Sequence, residues 1–319
     1  MTFARTARSC FVSLCATLLA VALSACAGGT GNTTLPRSQQ GTSALTTQQM
    51  PTPATTAFSH FRYHLYPIHN GAAAAMKTQA INYPADLQYF GGAVVTSAVD
   101  HNVYVDCQAS CWGDPQEFLD NLNDSTHIHV VDQYVHQTAN YRYRFGYNYA
   151  ATVNFASSNM MSNNQIINVV HLAALRFGGG YHNVYNVFLP AGVDTCIASS
   201  QCYSPDQSQN WTFCAYHSSV DFSDKAGHVL YTVEPYQEVP GCTVSNPTNS
   251  LLADSTDSTL SHEHIETITD PDPDSAWFNA NFNDEVADLC ASYDDSDLLY
   301  SRKYTIQEFY SNQAHACVN

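Results

Sequence analysis

The chain has 319 residues with 11 Lys and Arg against 28 Asp and Glu, a formal net charge of −17. Removal of an N-terminal segment that carries Arg5 and Arg8 would leave 9 basic and 28 acidic residues, a charge of −19. A surface this acidic repels nucleic acids and anionic lipid headgroups, and it suits divalent cations. We therefore expect no nucleic-acid partner.

The N-terminus has the pattern of an export signal. After a basic start, the apolar run of residues 9–23 is too short for a permanent membrane helix. The sequence LSAC at residues 23–26 follows and resembles a bacterial lipobox, with cysteine in the first mature position. A plain secretory signal cut nearby is the alternative. We predict a signal peptide over 1–25 and a lipid on Cys26 that anchors the protein to the outer membrane or cell surface.

The cysteine count agrees with export. Cys10 and Cys15 belong to the signal and Cys26 takes the lipid, which leaves eight of the 11 cysteines. An even number in an exported chain indicates up to four disulfides, although eight cysteines allow 105 pairings. Sequence proximity favours four pairs, which are Cys107 with Cys111, Cys196 with Cys202, Cys214 with Cys242, and Cys290 with Cys317.

Composition separates a tether from a folded domain. Residues 26–57 are rich in Gly, Thr, Ser, Gln and Pro and almost lack large apolar residues, so we expect a flexible tether there. The folded domain is predicted to span 58–319. Runs of β-type residues predict short strands at Ala93–Thr96, Asn102–Asp106, His127–Tyr134, Asn183–Leu189 and His228–Val233.

Two helices are predicted. The first covers 163–177, with Ser162 as its N-cap and three glycines from Gly178 as its end. Because this helix is apolar on most sides, we expect it to be buried behind the strands at 183–189 and 228–233. The second covers 259–269 and ends at the Asp-Pro repeats that follow.

The second predicted helix carries the chemistry. His262 and Glu266 are four residues apart, so their side chains share one helix face, as the histidines of an HExxH zinc motif do. Glu263 stands where such a motif has its general base. We expect Zn²⁺ as the cofactor, although a carboxylate ligand is also accepted by hard cations such as Ca²⁺.

A third ligand is needed, and Glu285 lies 19 residues after Glu266 in the sequence EVAD. The arrangement resembles that of gluzincins. The resemblance implies that Glu285 coordinates the metal. It also implies that Asp288 orients His262 by contacting the ring nitrogen that does not bind the metal. Asp272, ten residues after His262, is the alternative third ligand, at the spacing that metzincins use.

Other polar groups are weaker candidates. His264 is two residues from His262 and should point to another face. His217 could line the cleft, although its neighbour Cys214 favours a structural role. The acidic clusters at 270–274 and 294–297 could hold calcium, but neither has the full EF-hand pattern and solvated turns are favoured.

Several segments between residues 91 and 318 carry a family resemblance, and the block 261–290 is the most specific. They are GGAVVTS at 91–97, FCAYH at 213–217, YTV at 231–233, SHEHIETITDP at 261–271, Trp277, EVADLC at 285–290 and the stretch from Ser311-Asn312 to Cys317-Val318. Together they resemble the phosphate-induced (Exordium-like) protein family. Its members are secreted or cell-wall proteins of plants with bacterial relatives, so the resemblance implies compartment and fold more than reaction. Position 264 departs from the pattern, with His for an aliphatic residue.

These observations predict an α/β, zincin-like fold: a mixed β-sheet with a buried backing helix and a metal-site helix, stapled by disulfides. The expected function is that of a metal-dependent hydrolase acting on extracellular peptides, in which Glu263 deprotonates a metal-bound water. The alternative is a non-catalytic envelope protein. In that case the cluster holds a structural ion or none, and a tyrosine-rich surface binds wall polymer.

Overall fold

Segments rich in β-branched and aromatic residues form most of the fold. The computed structural model describes residues 43–46, 62–68, 85–153, 155, 159–291, 293–299 and 301–319, which all belong to one unit of the chain. Its strands are β1 (Ser43–Thr46), β2 (Tyr63–Pro67), β3 (Gln88–Tyr89), β4 (Ala98–Val105), β5 (Tyr143–Thr152), β6 (Met160–Ser162), β7 (Asn183–Phe188), β8 (Asp194–Ala198), β9 (Gln201–Tyr203), β10 (Phe213–Asp221), β11 (His228–Glu234), β12 (Trp277–Phe278), β13 (Asp294–Leu299), β14 (Arg302–Gln307), β15 (Phe309–Ser311) and β16 (Ala316–Val318). Its α-helices are α1 (Pro115–Asn123), α2 (Asp132–Val135), α3 (Asn163–Phe177) and α4 (Leu251–Thr269).

Seven strands form one mixed sheet in the order β1-β5-β4-β7-β11-β10-β2. The neighbours from β1 to β11 pair in parallel, whereas β10 runs antiparallel to both β11 and β2. A mixed α/β architecture with a multi-strand mixed sheet is therefore confirmed. Strand β1 lies in the segment predicted as a tether. The predicted signal peptide and Cys26 lie outside the described residues.

Helix α3 covers one face of the sheet with the predicted bounds. Ser162 and Gln165 form a reciprocal capping box at its start. At its end Gly178 has a φ of +103° and donates its N–H to the Ala174 carbonyl, a backbone position that favours glycine. Its buried side chains pack on β7 and β11, as predicted, and they are Ile166, Ile167, Val169, Val170, Ala173 and Ala174. Burial of each large aliphatic side chain contributes about 1.5–3 kcal/mol.

Helix α4 covers the opposite face and is longer than predicted. It begins after the N-cap Ser250, whose side chain accepts a hydrogen bond from the Ala253 N–H, and ends at Thr269 as expected. Every residue from 253 to 269 is buried, although most are polar. The helix lies between the sheet and β14, with further contacts to α1. Because its polar side chains cannot reach water, their partners must come from the protein.

Two predicted strands are wrong. Residues 93–96 form no strand, and residues 127–134 form a short 3-10 helix (His127–Val131) followed by α2. In the latter segment Ile128, Val131, Tyr134 and Val135 are buried, a helical spacing. The strand prediction for this segment relied on its β-branched residues and overlooked the helical spacing of its apolar residues. The strands predicted from 102, 183 and 228 exist, and the first of them starts earlier, at Ala98.

The four expected disulfides are present. The structure joins Cys107 to Cys111, Cys196 to Cys202, Cys214 to Cys242, and Cys290 to Cys317. The acidic cluster at 294–297 is not a turn, because its residues belong to β13. Among the described residues, no helix is both long and apolar enough to cross a membrane.

Candidate metal centre

A row of polar side chains crosses the sheet beneath α4. Its members pair in register across five strands, and they are Asn102, Asn186, Thr232, His217 and His64. Because neighbouring strands bring paired residues side by side, His217 of β10 and His64 of β2 are adjacent, with ring centroids 5.8 Å apart. The sheet therefore presents two histidines to the helix.

Helix α4 adds three groups over these histidines. His262 and Glu266 are one turn apart, and His262 Nε2 lies 3.1 Å from Glu266 Oε2. Glu263 Oε2 lies 3.3 Å from His217 Nδ1. The predicted helix face is thus aimed at the sheet rather than at a cleft, because all three side chains are fully buried.

The loop after β12 closes the cluster. The backbone N–H groups of Ala287 and Asp288 donate to Glu266 Oε1, at 3.2 and 3.1 Å. This loop places Glu285 Oε1 3.1 Å from His64 Nδ1 and Asp288 in direct contact with His64 Nε2. Two strands, one helix and one loop therefore converge on one buried centre. We call the seven side chains His64, His217, His262, Glu263, Glu266, Glu285 and Asp288 the buried centre.

Two histidines of the buried centre each have one ring nitrogen next to a hydrogen-bond acceptor outside the centre. His262 Nδ1 lies 3.1 Å from Gln307 Oε1, and His217 Nε2 lies 3.2 Å from the Asp270 carbonyl. An N–H on each of these nitrogens would donate outward, which leaves His262 Nε2 and His217 Nδ1 as bare nitrogens facing inward. Metal-bound histidines are oriented in this way.

Electrostatics in the centre are dominated by burial. Burial raises the pKa of Glu263 well above its usual range, and the Glu266 carboxylate raises it further. Burial also raises the pKa of Glu285, whereas burial lowers the pKa of His217 to about 3 with help from the His64 charge. Without a cation, the contact between His217 and Glu263 is thus a hydrogen bond between neutral groups rather than an ion pair.

His64 and Asp288 behave differently. Burial alone would raise the pKa of Asp288, but the adjacent His64 lowers it to about 2. Burial alone would lower the pKa of His64, but Asp288 and Glu285 raise it well above its usual value. These two residues therefore form a buried ion pair.

Several atoms of the centre have no hydrogen bond. They are His262 Nε2, Glu263 Oε1, Glu266 Oε2 and Glu285 Oε2. Leaving a buried polar atom unsatisfied costs about 1–3 kcal/mol. Two ligand atoms bound to one tetrahedral ion at about 2.0–2.2 Å stand roughly 3.3–3.6 Å apart. The contacts of 3.1–3.6 Å measured in the centre are close to that spacing, so the donor set fits a zinc-type cation.

Most of the candidate site residues lie in this centre. His262, Glu266, Glu285 and Asp288 come together, and Asp288 also contacts His64 besides lying 3.6 Å from His262 Nε2. His217, expected only at the edge of a cleft, lies inside the cluster. His64 was missed, because a lone histidine in a short β-type segment carries no motif. His264 points elsewhere, as expected, and its Nε2 lies 2.9 Å from Asn123 Oδ1.

The alternative ligand Asp272 lies outside the buried centre. Its Oδ1 accepts a hydrogen bond from Ser219 and lies 3.0 Å from His228 Nε2, and its Oδ2 accepts from Tyr181. Asp270, in the same acidic cluster, instead accepts backbone N–H bonds from Ser275 and Ala276. Asp272 therefore ties the loop after α4 to β10 and β11.

These contacts of Asp272 predict a pH-dependent stability. Burial alone would raise its pKa, but His228, Ser219 and Tyr181 lower the pKa to about 2. A depressed carboxylate pKa stabilises the fold above the unfolded pKa of about 3.9, and that contribution is lost as pH falls through 2. Asp272→Asn should lower the free energy of unfolding by about 1–2 kcal/mol at pH 5 and by about half as much at pH 3.

Denaturant unfolding of the Asp272→Asn protein at both pH values measures this. The matched control is Asp221→Asn, because Asp221 Oδ1 also contacts His228 but its side chain is 82% exposed. That variant should change stability by less than about 0.5 kcal/mol. An equal loss at pH 5 and pH 3 for Asp272→Asn would contradict the assignment.

Comparison with known proteins found no match: no family model, no curated protein and no solved structure matches the chain. The resemblance to the phosphate-induced family therefore stays a prediction.

Proposed function

We propose that this chain is an exported metal-binding protein whose buried centre holds a divalent transition-metal ion. The supporting observation is the convergence of three histidines and four carboxylates with several unsatisfied atoms, in a place where no side chain is more than 8% exposed. Buried charges in proteins are paired or coordinate metals. In the described part of the chain, every ion pair of these carboxylates involves a histidine.

Zinc is the proposed ion. Imidazole nitrogen and carboxylate oxygen are both zinc ligands, whereas calcium takes six to eight oxygens and disfavours imidazole. The inward nitrogens of His262 and His217 lie 3.1 and 3.6 Å from Glu266 Oε2. The centre thus offers both kinds of zinc ligand at short range. Calcium ranks second for this reason.

Elemental analysis of purified, untagged protein tests this proposal. We expect at least one zinc ion per chain after equilibration with zinc and removal of the excess. A protein that is folded, with its disulfides formed, and that still retains no transition metal would overturn the proposal.

The proposed compartment is the cell envelope. The four disulfides agree with an oxidising environment, and the lipobox at residues 23–26 adds the membrane anchor. Export is thereby part of the proposal.

A hydrolase of zincin type is the more specific use of such a centre. A bound zinc ion supplies an acidified water and polarises a carbonyl. Glu263, with Oε1 lacking a hydrogen bond, is the residue of this chain that would accept the proton of that water. We rank catalysis below metal binding itself, because Glu263 is fully buried and a peptide must reach the metal.

Binding of wall polymer without catalysis is the second candidate function. It is supported by a set of exposed aromatic side chains. Tyr89, Phe90 and Phe282 are 52%, 50% and 63% exposed. Tyr89 packs on Trp277 and Phe90 stacks on Phe278, with ring centroids 5.2 and 4.2 Å apart. Exposed aromatic surfaces of this kind mark interaction sites.

A further inference from the structure

The buried centre contains more ligands than one ion needs. A structural or catalytic zinc ion takes three or four protein ligands, and seven ligating side chains converge here. Ligand atoms of five of these side chains form two groups, within each of which all atoms lie within 4.8 Å of one another. One group is His64, Glu266 and Asp288, and the other is His217, Glu266 and Glu285. Glu266 alone belongs to both.

We propose that the centre holds two divalent ions bridged by Glu266. This inference rests on the proposed metal-binding function and adds the number of ions. Two-metal sites place their ions about 3.5–4 Å apart and commonly share a ligand. The position of Glu266 on α4, between the two histidines of the sheet, provides such a bridge.

The first ion position lies on the side of β2. His64 and Asp288 contact each other there, and His262 Nε2 lies 3.6 Å from Asp288 Oδ1 and 3.1 Å from Glu266 Oε2. His262 thus completes a set of two imidazoles and two carboxylates. Its Nε2 has no hydrogen bond and faces inward.

The second ion position lies on the side of β10. His217 Nδ1 is 3.6 Å from Glu266 Oε2, and one ligand atom from each of His217, Glu266 and Glu285 lies within 4.8 Å of the other two. This set contains one imidazole and two carboxylates. It is the more acidic of the two.

Two divalent ions also balance the charge of the centre when all of its carboxylates are ionised and His64 is a neutral ligand. The buried centre contains four carboxylates, and no lysine or arginine in the described part of the chain forms an ion pair with them. Two divalent cations neutralise four carboxylates.

The stoichiometry of bound zinc tests the inference. The full chain, equilibrated with Zn²⁺ and desalted, should retain two zinc ions per molecule by mass spectrometric elemental analysis. His64→Ala and His217→Ala each remove a ligand of only one position, so each variant should retain one. His171→Ala is the matched control, since His171 lies on α3 and contacts Asp224 rather than the centre, and it should retain two.

The outcomes separate the two proposals. One zinc ion in the wild type would overturn the two-ion inference and leave the metal-binding proposal intact, whereas none would overturn both. Should either histidine variant fail to fold, anomalous diffraction from wild-type crystals at the zinc edge decides the matter. Two peaks about 3.5–4 Å apart between α4 and the sheet are expected, and a single peak there contradicts the inference.

Discussion

Removing the metal should lower the thermal unfolding midpoint of this protein by about 8–16 °C. A ligand present at a thousand times its dissociation constant stabilises the folded state by about 4 kcal/mol, and each kcal/mol shifts the midpoint of a domain this size by about 2–4 °C. Without the ion, Glu266 Oε2 and Glu285 Oε2 stay buried without a hydrogen bond. Differential scanning calorimetry before and after chelation measures the shift.

The choice of chelator and of the ion added back identifies the metal. Phenanthroline prefers transition metals, so it should cause the full shift, and added Zn²⁺ should restore the midpoint. Added Ca²⁺ should restore little of the midpoint that phenanthroline removes. The His262→Ala protein is the control, because with a ligand missing its midpoint should respond much less to phenanthroline. A wild-type midpoint that ignores phenanthroline would contradict a metal role in stability.

How far the sequence predicts this fold depends on how local the signals are. Helix α3 was predicted to the residue, because its capping box at Ser162 and its terminating Gly178 act within one turn of the chain. Helix α4 was predicted eight residues too short. Residues 254–258, with the sequence DSTDS, indicate a polar loop in isolation, yet they are buried. Their partners come from distant segments, as where Ser258 donates to Asp294 and Ser255 accepts from Val244.

The site shows the same division. Spacing along one helix and one following loop pointed to His262, Glu266 and Glu285, and all three lie in the buried centre, although the ligand groups place Glu285 with His217 rather than with His262. His64 enters only through the pairing of β2 with β10, which joins residues about 150 positions apart. Such pairing has no local sequence signal. His217 had a weak signal, since a histidine in a β-type segment is usually structural.

The buried polar row also explains why the hydrophobic pattern of α4 is weak. A helix that covers a sheet normally presents an apolar stripe. Here the sheet presents Asn102, Asn186, Thr232 and two histidines, so the helix matches it with polar groups. Asn186 donates to Asn102 at 3.1 Å and accepts from Thr232 at 3.2 Å. Sequence periodicity assumes an apolar core and therefore fails at a centre built from polar groups.

Glu263→Gln should separate metal binding from catalysis. The amide keeps the size of the side chain but cannot accept a proton from water, so a hydrolase should retain its zinc and lose about 10²–10⁴-fold in rate. The measurement is the rate of cleavage of a broad peptide library by the zinc-loaded protein, together with its zinc content.

Glu234→Gln is the matched control for Glu263→Gln. Glu234 is also a fully buried carboxyl on the sheet face below α4, burial raises its pKa to about 8, and its Oε1 accepts from Thr232, but it belongs to neither ligand group. Its variant should keep both zinc and rate. Equal activity of the Glu263→Gln and wild-type proteins would exclude Glu263 as the base. If the zinc-loaded wild type cleaves no peptide, the hydrolase proposal is contradicted. If it also sediments with insoluble wall polymer, the exposed aromatic side chains around Tyr89 and Phe90 are favoured as the functional surface.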